Sequence, residues 1–167
     1  MGFRVVEELA RRWGISVDRL ECGALVGGGV DGRPWLARPQ TYMNRSGYAA
    51  RCLLERHELD PAEILVVYDE VNLPLGRLRL RRSGSPAGHR GLESILENLR
   101  TDQIPRLRLG IAPEAGVPAG EDLPDFVLSP FAADEEETVA EMIRRAADAC
   151  EVWDAEGVEV AMNRFNG

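Results

Sequence analysis

Asp69 and Glu70 directly follow Ile64-Leu65-Val66-Val67-Tyr68, and Val71-Asn72-Leu73-Pro74-Leu75-Gly76 comes after them. An apolar, β-branched run that breaks into two acids and a Pro/Gly turn reads as a buried parallel-type strand with a carboxylate at its C-terminal edge. In open α/β sheets, ligands and chemistry collect outside that edge. A carboxylate there can orient a histidine and stabilise the charge it acquires on activating water. The same two acids also fit a solvated turn that closes a core strand.

Other groups suited to chemistry are few. Arg79 and Arg81 share the parity of one alternating stretch, and Arg106 and Arg108 that of another. If the two strands are neighbours these side chains form a phosphate clamp, since the guanidinium fork suits bidentate phosphate contacts. Otherwise they are a solvated sheet face. Of the two histidines, His57 falls at a helix end beside Glu58 and reads as a surface residue. His89 opens a helix after a glycine loop, where it either faces a site or satisfies backbone groups. Residues 83–88 (SGSPAG) offer backbone N–H groups to a phosphate but match neither the dinucleotide nor the Walker pattern, so a plain connection is the alternative. There is no Gly-x-Ser-x-Gly elbow.

The elements that must hold these groups follow from periodicity. Phe3, Val6, Leu9, Ala10 and Trp13 recur at helical spacing, with Gly14 as the stop. Residues 22–30 and 33–37 read as strands around a turn at Val30-Asp31-Gly32, and residues 46–57 as a helix. Asp60-Pro61-Ala62-Glu63 is a turn or single helical turn with Asp60 as its cap. Strands at residues 77–81 and 106–111 flank a helix at about 89–99. Residues 113–124 form a long Pro/Gly/acid loop suited to a mobile lid, and helices at 134–153 and 158–165 complete the chain. The expected architecture is a single α/β domain over residues 1–167, a twisted mixed central sheet flanked by helices.

Length and composition set bounds. A chain of 167 residues with 44% hydrophobic and 29% charged content suits one soluble globular domain. No apolar run approaches the ~20 residues that span a bilayer, and no signal peptide is evident. Cys22, Cys52 and Cys150 are odd in number and lack metal-ligand spacing, so reduced thiols in a cytoplasmic protein are expected. The net charge is −8, unevenly spread. Residues 76–109 hold eight arginines against three acids, and residues 113–156 hold thirteen acids against two arginines. One basic face on an acidic body is the footprint of a polyanion binder. All 20 cations are arginine, a bias that points first to genomic composition.

These motifs converge. Pro39-Gln40-Thr41-Tyr42-Met43-Asn44-Arg45-Ser46-Gly47, Tyr68-Asp69-Glu70-Val71-Asn72-Leu73-Pro74-Leu75-Gly76 and Gly88-His89-Arg90-Gly91-Leu92 resemble bacterial peptidyl-tRNA hydrolase. Arg106-Leu107-Arg108-Leu109-Gly110-Ile111, Phe126-Val127-Leu128 and Ala161-Met162-Asn163-Arg164-Phe165 fit in the same order. The resemblance covers essentially the whole chain. It implies hydrolysis of the ester joining a peptide to the 3′ ribose of tRNA, without metal or cofactor, by a cytoplasmic monomer that does not engage membranes. In the family a histidine acts as general base on water and an aspartate orients it; Asp69 stands at that aspartate. The resemblance further places Asn44, Tyr42, Met43, His89 and Arg90 at the substrate, Arg81 and Arg108 on the tRNA 5′ phosphate, and residues 113–124 at the lid.

Two departures from the pattern bear on activity. The family opens with a strand, a Gly-x-x-Asn-Pro-Gly loop and Thr-Arg-His-Asn just ahead of Gly-Phe, whereas this sequence begins Met1-Gly2-Phe3. The expectation is therefore a chain without the first strand and the general base, inactive as it stands, whose native product is longer by about twenty residues. The alternative is a non-catalytic RNA-binding relative of the same fold, like chloroplast splicing factors. The second departure is Arg90, where the family carries an asparagine that helps to fix the attacking water.

Overall fold

In a computed structural model, residues 1–42, 45–116, 127 and 129–167 are described. They comprise helix α1 (Gly2–Trp13), strands β1 (Arg19–Glu21), β2 (Ala24–Gly28) and β3 (Trp35–Pro39), helix α2 (Ser46–Arg56) and a 3₁₀ turn (Pro61–Glu63). Strands β4 (Val66–Pro74) and β5 (Leu78–Arg81), helix α3 (Arg90–Leu99), strand β6 (Arg106–Ala112) and helices α4 (Glu136–Glu156) and α5 (Val158–Phe165) follow. The chain gathers into two compact units: Met1–Val5 with Val67–Leu80 and Leu107–Gly167, and Val6–Val66 with Arg81–Arg106.

The first unit is built on a sheet of order β4-β6-β5. Val66 N–H donates to Pro105 O and Leu75 N–H to Ala112 O, so β4 and β6 run parallel. Gly110 N–H donates to Arg77 O and Gly84 N–H to Asp102 O, so β5 opposes β6. This is the expected mixed sheet in an α/β fold. β6 lies between two partners, and Leu107, Leu109 and Ile111 are buried. Gly110 is required there, because a Cβ at that position would collide with Pro74 O. α4 packs on α5, and Val139, Met142, Ala146 and Ala161 of these helices are buried.

The second unit carries the antiparallel sheet β1-β2-β3, with Glu21 opposite Ala24 and Ala24 opposite Pro39. The expected strand over residues 22–30 starts too early. Cys22 (φ 55°) and Gly23 (φ 73°) instead form the two-residue turn between β1 and β2, since successive left-handed residues match the twist of a tight hairpin. α2 crosses α3 at Gly47, whose N–H donates to buried Ser94 Oγ (3.0 Å) and which has no room for a side chain beside Ser94 O. The 3₁₀ turn keeps its capping box: Asp60 N–H donates to Glu63 Oε2 at 2.7 Å.

Two features differ from the expected pattern. Phe3 is exposed, and Val5 and Leu9 form the buried stripe of α1. Cys22 and Cys52 are not separate reduced thiols but form a disulfide, with Cα atoms 5.8 Å apart. A separation of 30 residues says nothing about distance until the hairpin turn lays Cys22 against α2. Cys150 is a buried thiol.

Candidate active site

β4 does not end at its acids. It continues through Asp69 and Glu70 to Pro74, so both carboxylates stand in mid-strand and point to opposite faces. Glu70 shares its face with Tyr68. Glu70 is buried, its Oε1 accepts Asn72 N–H (3.0 Å), and its Oε2 lies 3.9 Å from Arg108 Nη1. Arg108 Nε donates to Tyr68 Oη at 3.2 Å. The parallel neighbour β6 thus delivers Arg108 onto the Tyr68/Glu70 face, where the guanidinium is held by a phenol and a carboxylate. The parity of Tyr68 and Glu70 was the sequence signal for this arrangement, and it was missed.

Asp69 faces the other way, toward the head of α1. Gly2 lies against Val67 O, with no space for a Cβ, and this close approach brings Met1 N to 3.0 Å from Asp69 Oδ1. Oδ1 is buried and accepts no hydrogen bond among the described residues, so its contact is one of charge with the ammonium. The site is a buried carboxylate oxygen aimed at whatever nitrogen arrives at the start of α1. Such an oxygen can hold an imidazolium and fix its tautomer.

The arginine pairs separate on inspection. β5 and β6 are sheet neighbours, as a clamp requires. Arg106, however, is fully buried and cannot meet a phosphate. Its Nε donates to Ile104 O, Nη1 to Gly84 O and Ser85 O, and Nη2 to Asp102 O, all at 2.8–3.2 Å. Along β6 only Arg108 and Ala112 escape full burial, so the alternating pattern there creates no solvated side. The same bonds turn the carbonyls of the 83–88 loop onto Arg106, so the loop is the plain connection and no phosphate cradle. Arg79 Nε is buried without a hydrogen-bond partner. Arg81, the last residue of β5, and Arg108 are half-buried.

In the second unit, His89 is the N-cap of α3 and its Nδ1 accepts Leu92 N–H at 3.1 Å. Arg90 follows, exposed, with no hydrogen bond or ion pair among the described residues. Tyr42 is 82% exposed and, with Gln40, Thr41 and Arg45, lines an open depression ahead of α2. Tyr42 and His89 each stand five residues ahead of the Gly47/Ser94 crossing of α2 and α3. Met43 and Asn44 lie outside the described residues, as do residues 117–124 of the expected lid.

His57 is not a surface residue. Its Nε2 lies 2.7 Å from Glu21 Oε1 and its ring stacks on Trp35, centroids 4.2 Å apart. Burial pushes the Glu21 carboxyl up, but His57, Arg19 and Arg56 outweigh it and hold Glu21 below its usual range. His57 is thereby engaged within the β1–β3 sheet and α2.

The similarities to known proteins agree with this geometry. The family model described as Peptidyl-tRNA hydrolase matches residues 1–167. A peptidyl-tRNA hydrolase from a Synechococcus strain is 46% identical over 169 residues, covering 99% of this chain and 73% of its own length. That of Methylacidiphilum infernorum is 44% identical, covering 99% of this chain and 87% of its own. Among solved structures, a peptidyl-tRNA hydrolase complexed with N-propanol aligns with TM-score 0.89 at 29% identity, over 99% of this chain and 84% of that one. The peptidyl-tRNA hydrolase of Acinetobacter baumannii aligns with TM-score 0.87 at 28% identity and the same coverage of 99% and 84%. With a family model spanning all of its residues and relatives 44–46% identical over 99% of it, this chain belongs to the peptidyl-tRNA hydrolase family.

Proposed function

We propose that the chain cleaves the ester of peptidyl-tRNA by water attack, with Asp69 as the carboxylate that orients and charges a histidine base. The observation that carries this reading is the buried Asp69 Oδ1, which accepts no hydrogen bond and lies 3.0 Å from the nitrogen at the head of α1. His57, bound to Glu21, and His89, capping α3 through Nδ1, are not that base. The base takes the proton of water, and Asp69 stabilises the resulting imidazolium.

Binding is assigned to other residues. Tyr42 with its neighbours Met43 and Asn44, and His89 with Arg90, receive the 3′ end and the peptide. Arg81 and Arg108 meet the 5′ phosphate, and Arg108 leaves its 3.9 Å contact with Glu70 to do so. A peptidyl-tRNA substrate places the protein in the cytoplasm, and a monomer suffices for these roles. Among the described residues no helix is long and apolar enough to cross a membrane.

The experiment measures hydrolysis of peptidyl-tRNA and tRNA binding by the protein and by its Asp69→Asn variant. Hydrolysis well above that of the variant, with tRNA bound equally by both, is expected. Equal turnover by the two would remove Asp69 from the mechanism. Binding by both and hydrolysis by neither would favour the non-catalytic RNA-binding reading.

A further inference from the structure

We propose that Cys22 and Cys52 form a reversible thiol–disulfide exchange site for low-molecular-weight disulfides, and that the bond sets the order of the Gln40–Thr41 backbone. The two residues are half-buried, unlike buried Cys150, so a small disulfide reaches the pair and not the third thiol. Their Cα atoms are 5.8 Å apart, within the range that a bridge spans without backbone movement. In a cytoplasmic enzyme, which is the setting the proposed function implies, persistent disulfides are rare and those that form are exchange-active.

The step balances as an exchange. The thiolate of one cysteine attacks a disulfide RSSR and forms a mixed disulfide, releasing RS⁻, which takes a proton as RSH. The other cysteine, deprotonated, attacks the protein sulfur of the mixed disulfide and expels a second RS⁻. The two protein thiols are oxidised and RSSR is reduced to two RSH.

The Cys22–Gly23 turn touches more than α2. Gly23 O accepts Gln40 N–H at 2.8 Å, and the Gly23 Cα faces Thr41 Cγ2 so closely that an added Cβ would sit 3.2 Å from it. Cys22 takes a left-handed φ of 55°, unusual for a residue with a side chain. The bond to α2 is what restrains this turn, and the turn carries the backbone that precedes Tyr42. Opening the bond therefore loosens the Gly23–Gln40 contact first.

The test equilibrates the 167-residue chain in mixtures of reduced and oxidised glutathione, traps thiols by alkylation, and reads each state by mass and by amide hydrogen exchange. A reversible crossover between the dithiol and the disulfide is expected, with Cys150 alkylated only after denaturation. The Gln40 amide is expected to exchange about tenfold or more faster in the dithiol form. In Cys22→Ser a glutathione adduct is expected on Cys52, with Gln40 exchange unaffected by the mixture. A bond that never forms, a bond that excess reduced glutathione never opens, or Gln40 exchange independent of the bond would each overturn the proposal. None of these readouts uses tRNA, so failure of the hydrolase assignment leaves the result intact.

Discussion

Glu21 and Asp69 are both carboxylates drawn out of water, yet they meet nitrogen in different ways. Glu21, with its side chain 8% exposed, is surrounded: His57 Nε2 at 2.7 Å, Arg19 Nη2 at 3.1 Å and Arg56 Nε at 3.5 Å. Its histidine is also fixed from the side by the Trp35 ring. Asp69 has a buried oxygen with no hydrogen bond among the described residues, as Glu21 Oε1 also has, but a single charged neighbour there, at the very start of a helix. A carboxylate beside a histidine is therefore not in itself a catalytic pair. Where two arginines and a stacked ring surround the pair, it fastens β1 to α2. Where an oxygen is held ready at an element's edge, it can serve a group that must gain and lose a proton.

The largest effect should separate these two acids. Asp69→Asn is expected to lower turnover by about 10²–10⁴-fold, because the imidazolium loses its counter-charge and its tautomer. tRNA affinity should stay within about twofold, since uniform binding is not what the carboxylate supplies. Glu21→Gln is expected to leave turnover within about twofold. Equal losses in the two variants would erase the distinction between a structural and a catalytic carboxylate.

Next in size is Arg106→Met, which sharpens the contrast between the two arginines of β6. It strips donors from four carbonyls, one of them in a buried bond and three in part-buried ones, and at about 1–3 kcal/mol for each buried acceptor left unpaired the loss should reach ~3 kcal/mol. Arg108→Met leaves only a phenol and a carboxylate that keep other partners or partial solvent, so ~1 kcal/mol is expected. Urea unfolding at neutral pH decides it. Similar losses in both would show that Arg108 is as structural as Arg106.

These two residues also mark how far the sequence was legible. The period-two pattern from Arg106 to Ile111 placed the strand and its buried leucines correctly. It could not reveal that β6 is the central strand, nor that the 83–88 loop and residues 102–104 close over Arg106 and bury it. The acids of β4 stand in mid-strand rather than at its end, which local spacing hides because Leu73-Pro74-Leu75-Gly76 looks like an immediate turn while the ladder runs on to Pro74. The Cys22–Gly23 turn was hidden because a cysteine occupies a left-handed position where asparagine or glycine is the usual signal. His57 looked exposed because Glu21 and Trp35, its partners, come from distant strands. Local spacing reads elements well, but it is silent on which strand lies in the middle and which side chains arrive from afar.

A smaller effect concerns tRNA. Arg81→Ala is expected to weaken binding and reduce the slope of log affinity against log salt by about one, as one fewer phosphate is neutralised. A CCA-ended mimic without the 5′ phosphate should be indifferent to the change. If the mimic weakens equally, Arg81 supports the fold rather than the phosphate.

The smallest effect returns to Glu21 and its pH dependence. Its folded carboxyl is held below the ordinary range, so its contribution to stability is fully present above the unfolded value of about 4.5. That contribution fades as pH falls through the depressed folded value, because the folded state must then bind a proton that costs it the His57, Arg19 and Arg56 contacts. Glu21→Gln lacks the contribution at every pH. The gap in urea midpoint between wild type and variant should thus be widest near neutrality and close on acidification below about pH 4.5. A gap that stays constant from neutral to acid pH would mean that Glu21 acts through packing alone. The charged partners around it would then be incidental to the joint between β1 and α2.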